Sequence, residues 1–123
     1  MRLILVIAAA IFPVLVAGQQ GCKCGPHTYS TPDVASAILA GDRKNPYPIR
    51  SSGAYPNLFD NRERVQFPEC NANLIQFPLR TGGSYSGGPP GPDRVVYQKD
   101  GKFCGCMTHF GALGNTFAAC TYF

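Results

Sequence analysis

The chain has 123 residues, 15% of them charged, and a formal net charge of +4 at pH 7. Its positive residues are scattered and form no long run. A modest positive charge suits a polyanionic partner such as RNA, and it equally suits a protein that is simply soluble. Internal repeats are absent, and the length after the amino-terminal segment, roughly 105 residues, is within the range of a single small domain.

The amino terminus has the pattern of a secretory signal peptide. One positive residue precedes an unbroken apolar run over 3–16, and the small residues Ala17 and Gly18 follow it. The run is too short, and its flanks are wrong, for a stable membrane span. We predict cleavage after Gly18, with cleavage after Ala17 as the alternative. Residues 1–18 are then a signal peptide, and residues 19–123 form one exported domain.

All six cysteines lie after this segment: Cys22, Cys24, Cys70, Cys104, Cys106 and Cys120. An even number of cysteines in a small exported chain predicts a disulfide framework. The two close pairs have one intervening residue each, which is not the CxxC spacing of zinc or redox sites. Only His27 and His109 could add imidazole ligands, so we expect neither a metal nor another cofactor.

The stretch HTYSTPDVASAILAGD predicts one helix, from Pro32 to Gly41. Thr31 is a suitable N-cap, Pro32 suits the first helical position, and Asp33 complements the positive end of the helix dipole. Apolar residues then recur at the i, i+3, i+4, i+7 spacing that makes one buried face: Val34, Ala37, Ile38 and Gly41.

Beyond the helix, a loop rich in Pro, Gly and Ser leads into short strand candidates. They are Val65–Phe67, Asn73–Leu79, Arg94–Tyr97, Phe103–His109 and Phe117–Cys120. The turn signal KDG separates two of them. One helix followed by about five short strands indicates an α+β fold, with the helix covering one face of an antiparallel sheet.

Strand alternation puts one polar residue on the same face of each central strand: Gln76, Arg94 and His109. Side by side in one sheet, they would form a row across an exposed face. Each also has a structural interpretation, because a strand arginine often solvates a sheet face and a lone histidine is often a hydrogen-bonded structural residue.

The segments YSTPDV, YPNLFDNRE, LIQFPL, GGPPGPDRVVY and THFGALGNTF follow one another in this order, and Cys120 comes after them. This series resembles the fungal guanyl-specific ribonucleases, small secreted enzymes that cut single-stranded RNA after guanosine. The resemblance covers nearly the whole chain after the signal peptide. It implies a microbial ribonuclease fold, with single-stranded RNA as the partner.

Enzymes of this family work by transesterification. A carboxylate, helped by the histidine of a Tyr-Pro-His motif, takes the proton of the ribose 2′-hydroxyl. An arginine stabilises the phosphorane, and a second histidine protonates the leaving group. By position, the resemblance implies that Tyr55, Arg94 and His109 are retained, with Phe117 as the aromatic residue near the leaving group.

Two positions depart from the family pattern. The Tyr-Pro-His histidine falls on Asn57, and the catalytic carboxylate falls on Gln76. Neither side chain is basic near neutral pH, so neither can accept the proton. His27 lies just before the helix, away from the family's active face, and is not expected to replace them. The resemblance therefore implies impaired or absent catalysis.

The resemblance also implies a guanine-reading segment in FDNRER, where backbone groups and a glutamate carboxylate read the base. Its members are Phe59, Asp60, Asn61 and Glu63, with Asn115 beside the expected base pocket. Arg64 replaces a glycine, and Arg62 stands where the family often has an aromatic lid. Since glycine adopts backbone angles that arginine resists, we expect a reshaped loop, competition from an Arg64–Glu63 pair, and a doubtful guanine preference.

The family bridge that ties the two chain ends together implies a disulfide between Cys24 and Cys120. Its long loop predicts that it is the more stabilising bridge. Cys70 and Cys104 fit a second bridge seen in some relatives. Cys22 and Cys106 are then paired only by elimination.

Three functions remain open. The leading hypothesis is a secreted, monomeric pseudo-ribonuclease that binds RNA, similar to the ribonuclease-like effectors that plant-pathogenic fungi deliver into host cells. A host protein or RNA–protein assembly is then a further expected partner. The second is an active guanyl-preferring endoribonuclease that works weakly through Arg94 and His109. The third is a protein-binding module on the same scaffold. None of the three involves a membrane.

Overall fold

The computed structural model describes residues 20–44 and 54–123. The predicted signal peptide lies outside them. One α-helix, α1, spans Thr31–Arg43, and a single 3-10 turn covers Lys99–Gly101 in the described residues. The strands are β1 (Cys22–Cys24), β2 (His27–Tyr29), β3 (Asn57–Leu58), β4 (Ile75–Pro78), β5 (Asp93–Gln98), β6 (Lys102–Thr108), β7 (Ala118–Ala119) and β8 (Thr121–Tyr122). They form an antiparallel five-stranded sheet in the order β3-β4-β5-β6-β7 and a three-stranded sheet in the order β2-β1-β8. In the described ranges, no helix is long and apolar enough to cross a bilayer.

The α+β prediction is confirmed, and four of the predicted strands correspond to β4, β5, β6 and β7 with shifted ends. The predicted strand Val65–Phe67 is wrong. The side chain of Asn61 holds both backbone groups of Val65, since its Oδ1 accepts from the Val65 N–H at 2.8 Å and its Nδ2 donates to the Val65 carbonyl at 2.9 Å. The Val65 N–H and carbonyl are therefore bonded to a side chain of the same loop and not to a partner strand.

The helix begins one residue earlier than predicted, because Ser30 and not Thr31 is the N-cap. The Ser30 hydroxyl accepts from the Asp33 N–H at 3.1 Å, and the Asp33 carboxylate accepts from the Ser30 N–H at 3.0 Å. This reciprocal pair requires an acceptor side chain three residues after the cap. A cap at Thr31 would place Val34 there, and valine cannot accept a hydrogen bond.

Asp33 also joins the helix to the glycine-rich loop after β4, because its Oδ1 accepts from the Gly82 N–H at 3.0 Å. Burial tends to raise the pKa of Asp33, but the hydrogen bonds from Ser30 and Gly82 outweigh it and lower the pKa. Since the folded-state pKa lies below the unfolded value, the stabilisation is present above about pH 4 and is lost as the pH falls through the folded pKa.

We therefore expect Asp33→Asn to lower the free energy of unfolding by about 1 kcal/mol at pH 7 and by less near pH 2, because the stabilisation by the Asp33 carboxylate is lost as the pH falls through its lowered folded-state pKa. Urea denaturation at both pH values measures the difference. Asp100→Asn, on the exposed turn between β5 and β6, is the matched control. An equal loss at both pH values would mean that the carboxylate charge has no part in the cap.

Alternation along β4 and β5 divides the interior into two clusters, one on each face of the five-stranded sheet. The cluster under α1 contains Val34, Ala37, Ile38, Ile75, Phe77, Val95 and Tyr97. The cluster on the opposite face contains Phe59, Val65, Phe67, Leu74, Val96 and Met107. Full burial of such a side chain contributes about 1.5–3 kcal/mol. The second cluster therefore holds the 59–74 segment against the face that carries Arg94.

The three disulfides join Cys22 to Cys106, Cys24 to Cys120 and Cys70 to Cys104. These pairs coincide with those expected. The first two bridges attach β1 to β6 and to the residue between β7 and β8, and so hold the small sheet against the large one. Strands of two or three residues have weak sequence patterns, which explains why β1, β2, β3 and β8 were not predicted.

Candidate functional site

Arg94 lies on the face of the sheet opposite α1, and its side chain is buried, with 3% of the residue exposed. Its Nη1 donates to the carbonyl oxygens of Gly91 at 2.7 Å and Asp93 at 3.1 Å, and its Nη2 donates to the Tyr55 hydroxyl at 3.1 Å. Its guanidinium carbon lies 5.1 Å from the centre of the Tyr55 ring and 5.4 Å from that of Phe117. The prediction that Arg94 belongs to an exposed row of polar side chains is therefore wrong, because two aromatic rings cover its guanidinium.

The strand that carries Arg94 is anchored on its other face by the neighbouring residue, Asp93. Asp93 is buried, and its Oδ2 accepts from the Tyr29 hydroxyl at 2.5 Å and lies 3.0 Å from His27 Nδ1. Burial, followed by the hydrogen bond to Asp93, raises the pKa of Tyr29, so the phenol stays protonated and remains a donor. His27 belongs to this anchor, on the face away from Arg94.

His109 follows β6 and is held by two contacts. Its ring stacks on Phe117 with centroids 3.8 Å apart and an interplanar angle of 23°, and its Nδ1 lies 2.8 Å from the Thr116 carbonyl oxygen. Because a carbonyl oxygen only accepts, Nδ1 carries a proton. Nε2 is then the nitrogen that can give or take a proton, as a general acid requires.

The two amides at the base positions are bonded to each other. Gln76 on β4 and Asn57 on β3 face one another in the sheet, and Gln76 Nε2 donates to Asn57 Oδ1 at 2.9 Å. Asn57 Nδ2 donates in turn to the Ala54 carbonyl at 2.6 Å. Gln76 Oε1 is buried and has no hydrogen-bond partner among the described residues. No carboxylate or imidazole takes part in this chain of hydrogen bonds.

The segment expected to read guanine has contacts that differ from those predicted. Asp60 pairs with Arg62, Oδ2 to Nε at 2.9 Å, and both side chains are exposed. Glu63 does not form the expected pair with Arg64. Instead, its Oε2 accepts from the Phe117 N–H at 2.8 Å. The Asn61 amide is hydrogen-bonded at both ends to the backbone of Val65, within the same loop.

Arg64 has a φ of 60°, which is the left-handed conformation that glycine adopts easily. Its N–H donates to the Asn61 carbonyl at 3.0 Å and closes a turn. The arginine therefore takes the glycine-like backbone angle, at the conformational cost that a side chain brings in this region. Packing of Val65 and Phe59 in the second core cluster supports the turn on both sides.

A cavity of about 400 Å³ opens beside Gln76. Its lining consists of Leu58, Phe59, Asp60, Asn73, Leu74 and Gln76. The Phe117 ring meets Phe59, which lines this cavity, edge-on with centroids 5.7 Å apart. Asn115, the residue expected beside the base pocket, is exposed in the loop after β6. The volume is within the range of sites for small molecules and nucleotides.

Sequence reasoning missed two residues that support this face. Tyr85 packs edge-on against Tyr55, with centroids 5.8 Å apart, and its hydroxyl donates to the Gly88 carbonyl. Thr116 supplies the carbonyl that holds His109. An aromatic residue alone in a glycine-rich stretch was a usable signal for Tyr85, whereas a backbone carbonyl leaves no signal in a sequence.

The family described as ribonuclease matches residues 17–121. The chain belongs to this ribonuclease family. Guanyl-specific ribonuclease U1 of Ustilago sphaerogena is 42% identical to it over 108 residues, which cover 85% of this chain and 99% of the relative. Extracellular guanyl-specific ribonuclease Fl1 of Gibberella baccata is 39% identical over 103 residues, which cover 83% of this chain and 97% of the relative.

A solved structure leads to the same family. A ribonuclease from Hericium erinaceus (RNase He1) superimposes with a TM-score of 0.62 at 36% identity, covering 82% of this chain and 98% of that protein. The family membership seen as a resemblance in the sequence is thus confirmed, and so is the fold that it implied.

Proposed function

We propose that this chain is an exported, ribonuclease-like protein that binds single-stranded RNA and cleaves it poorly or not at all. The observation that carries the proposal is the hydrogen bond between Gln76 and Asn57. Both positions expected to supply a base hold neutral amides, and one amide donates a hydrogen bond to the other.

The chemistry of these amides supports the loss of catalysis. Transesterification needs an acceptor for the proton of the 2′-hydroxyl, and an amide oxygen is far too weakly basic near pH 7. The other half of the reaction keeps its residues, since His109 presents Nε2 and Arg94 is rigidly held. A site with an acid and no base can bind the substrate but does not start the reaction.

Binding of RNA is supported by the groups that remain. A buried guanidinium attracts a phosphate, because a charge out of water is stabilised most by an opposite charge. The stacked rings of His109 and Phe117 offer a face on which a base can stack. The cavity beside Gln76 can receive a base or sugar, and the net positive charge of the chain favours a polyanion.

Export is supported by the predicted signal peptide and by the disulfides, which persist in oxidising surroundings. One relative, ribonuclease Fl1, is described as extracellular. The RNA available to an exported protein lies outside the producing cell, and that includes RNA of a host.

The test is RNA binding and RNA cleavage by the oxidised protein without its signal peptide. We expect binding that weakens as salt rises, because phosphate contacts release counterions, with little cleavage of a guanosine-containing oligonucleotide. Arg94→Ala should weaken binding and flatten its salt dependence. Phe117→Ala should lose about 1–3 kcal/mol if a base stacks on that ring. Arg43→Ala, at the exposed end of α1, removes a charge from the other face and should change little.

Two results would overturn the proposal. Rapid cleavage that depends on His109 would make the protein an active endoribonuclease, the function that the orientation of His109 favours next. RNA affinity that is unchanged in Arg94→Ala and Phe117→Ala would direct attention to a protein partner on the same scaffold.

A further inference from the structure

The loop over residues 109–116, the apolar loop, carries two large apolar side chains in solvent. Phe110 is 58% exposed, and Leu113, at 86%, is the most exposed large apolar residue in the described parts of the chain. Thr116 fixes the backbone beside Leu113, because its N–H and its hydroxyl both donate to the Leu113 carbonyl, at 3.0 and 2.6 Å. The loop thus has a defined shape and holds Leu113 outward.

Phe110 joins the apolar loop to the hairpin of β1 and β2. A Cβ atom added to Gly25, in the turn of this hairpin, would collide with the Phe110 ring, so the ring lies directly against the turn. The Lys23 side chain reaches the same turn, since its Nζ donates to the Gly25 carbonyl at 2.9 Å. Lys23 is exposed, and its ammonium group therefore lies at the base of the apolar loop.

The two segments that form the apolar loop and the hairpin beside it contain no acidic residue. Residues 20–32 and 101–123 hold neither Asp nor Glu, whereas they include Lys23 and both histidines of the chain. Two carboxylates from elsewhere contact these segments, but Asp93 is buried and Glu63 accepts from a backbone N–H. An anionic surface that approaches the apolar loop would therefore meet an exposed cation and no carboxylate side chain of either segment.

The size and shape of this surface favour a lipid bilayer over a protein partner. A phenylalanine side chain buries about 150–250 Å², whereas a stable protein interface buries about 800 Å² on each partner. Two protruding side chains supply too little area for such an interface. Lipid, in contrast, surrounds a protruding side chain on every side, and membrane binding of this kind combines buried apolar area with attraction to anionic lipids.

We propose that the apolar loop docks the protein on lipid surfaces that contain anionic headgroups. Phe110 and Leu113 enter the boundary between headgroups and acyl chains, and Lys23 lies among the headgroups. Such association is peripheral and needs no membrane-spanning helix, so criteria that require about 20 consecutive apolar residues do not detect it. The proposal is independent of RNA binding, because the face that carries Arg94 and Gln76 takes no part in it.

The experiment is cosedimentation of the oxidised protein, without its signal peptide, with vesicles of phosphatidylcholine alone or with added phosphatidylserine. We expect binding to the vesicles that contain phosphatidylserine, and weaker binding as salt rises. Leu113→Ser should lower the affinity about tenfold or more, the factor that burial of a leucine supplies. Leu39→Ser, at a residue 52% exposed on α1, is the matched control and should bind as the natural protein does.

The charge contribution has its own pair of variants. Lys23→Gln should lower the affinity for the phosphatidylserine vesicles about fivefold, the contribution of one lysine near an anionic surface. Lys44→Gln removes an exposed lysine at the end of α1 and should change little.

A fluorescence measurement locates the loop directly, because the chain has no tryptophan. In Leu113→Trp, we expect the emission to move to shorter wavelength when phosphatidylserine vesicles are added, and to be quenched by lipids with brominated acyl chains. Leu39→Trp should show neither change. Circular dichroism and a count of free thiols verify that each variant is folded and oxidised.

Three results would overturn the proposal. The first is absence of binding to either kind of vesicle. The second is equal binding by Leu113→Ser and the natural protein, since the contact would then rest on charge alone. The third is a dimer that forms without lipid and is abolished by Leu113→Ser, which would make the apolar loop an interface between two copies of the chain.

Discussion

The double variant Gln76→Glu/Asn57→His should cleave RNA about 10²–10⁴ times faster than the natural protein, because this is the usual contribution of a general base. Gln76→Glu replaces an amide nitrogen by oxygen at almost no steric cost. The acid half of the site is already in place, with His109 held by Thr116 and Arg94 held by Tyr55. Initial rates on a guanosine-containing dinucleotide measure the gain.

The hydrogen bond between the two amides explains why both changes are needed. In Gln76→Glu alone, a carboxylate oxygen would face Asn57 Oδ1, the present acceptor at 2.9 Å. Asn57 would have to turn over and give up its hydrogen bond to the Ala54 carbonyl. A histidine at position 57 can instead donate from its ring to the new carboxylate. We therefore expect the single variant to gain much less than the double variant.

Adding His109→Ala to the double variant should remove most of the gain, because the leaving group then lacks its acid. Circular dichroism and a count of free thiols verify that each variant is folded and oxidised. Suppose that the double variant is folded, binds RNA and is still as inactive as the natural protein. Catalysis would then be lost for some reason other than a missing proton acceptor, and Arg64→Gly in the base-reading loop would be the next change to combine with it.

Removal of both bridges of β1 should lower the free energy of unfolding by about 7 kcal/mol, comparable to the whole stability of many small domains. The Cys22–Cys106 and Cys24–Cys120 bridges span 84 and 96 residues when each is considered alone. With one of them formed, however, the other closes a loop of only the 22–24 and 106–120 segments. The loop-entropy argument gives about 3 kcal/mol for a loop of about 15 residues.

Removal of one bridge alone should therefore lower the free energy of unfolding by about 3 kcal/mol. The two variants are Cys22→Ala/Cys106→Ala and Cys24→Ala/Cys120→Ala. The sum of their two losses should be smaller than the loss in the quadruple variant, which lacks both bridges. Urea denaturation measures the free energy of unfolding of the oxidised natural protein, of the two double variants and of the quadruple variant. Strict additivity would contradict the shared-loop argument. Because Cys22–Cys106 and Cys24–Cys120 share one short loop, we predict that they stabilise the fold nearly equally, in place of the expectation that Cys24–Cys120 is the more stabilising bridge.

Several features of this protein follow from the sequence by itself, because they depend on neighbouring residues or on side-chain chemistry. The helix could be predicted from the spacing of Val34, Ala37, Ile38 and Gly41, and β4 and β5 from the alternation along them. That amides at positions 57 and 76 cannot act as bases is a property of the amide group. It holds in any fold.

The tertiary structure alone decided the features that join distant residues. Gln76 and Asn57 are 19 positions apart, and only the β3–β4 register shows that they bond to one another and leave Gln76 Oε1 as an acceptor. The burial of Arg94 requires rings from Tyr55 and Phe117, which flank it in space and not in the chain. The link from Glu63 to Phe117 spans 54 positions. Local patterns carry no information about such pairs, because the contacts form only when packing of the core brings the segments together.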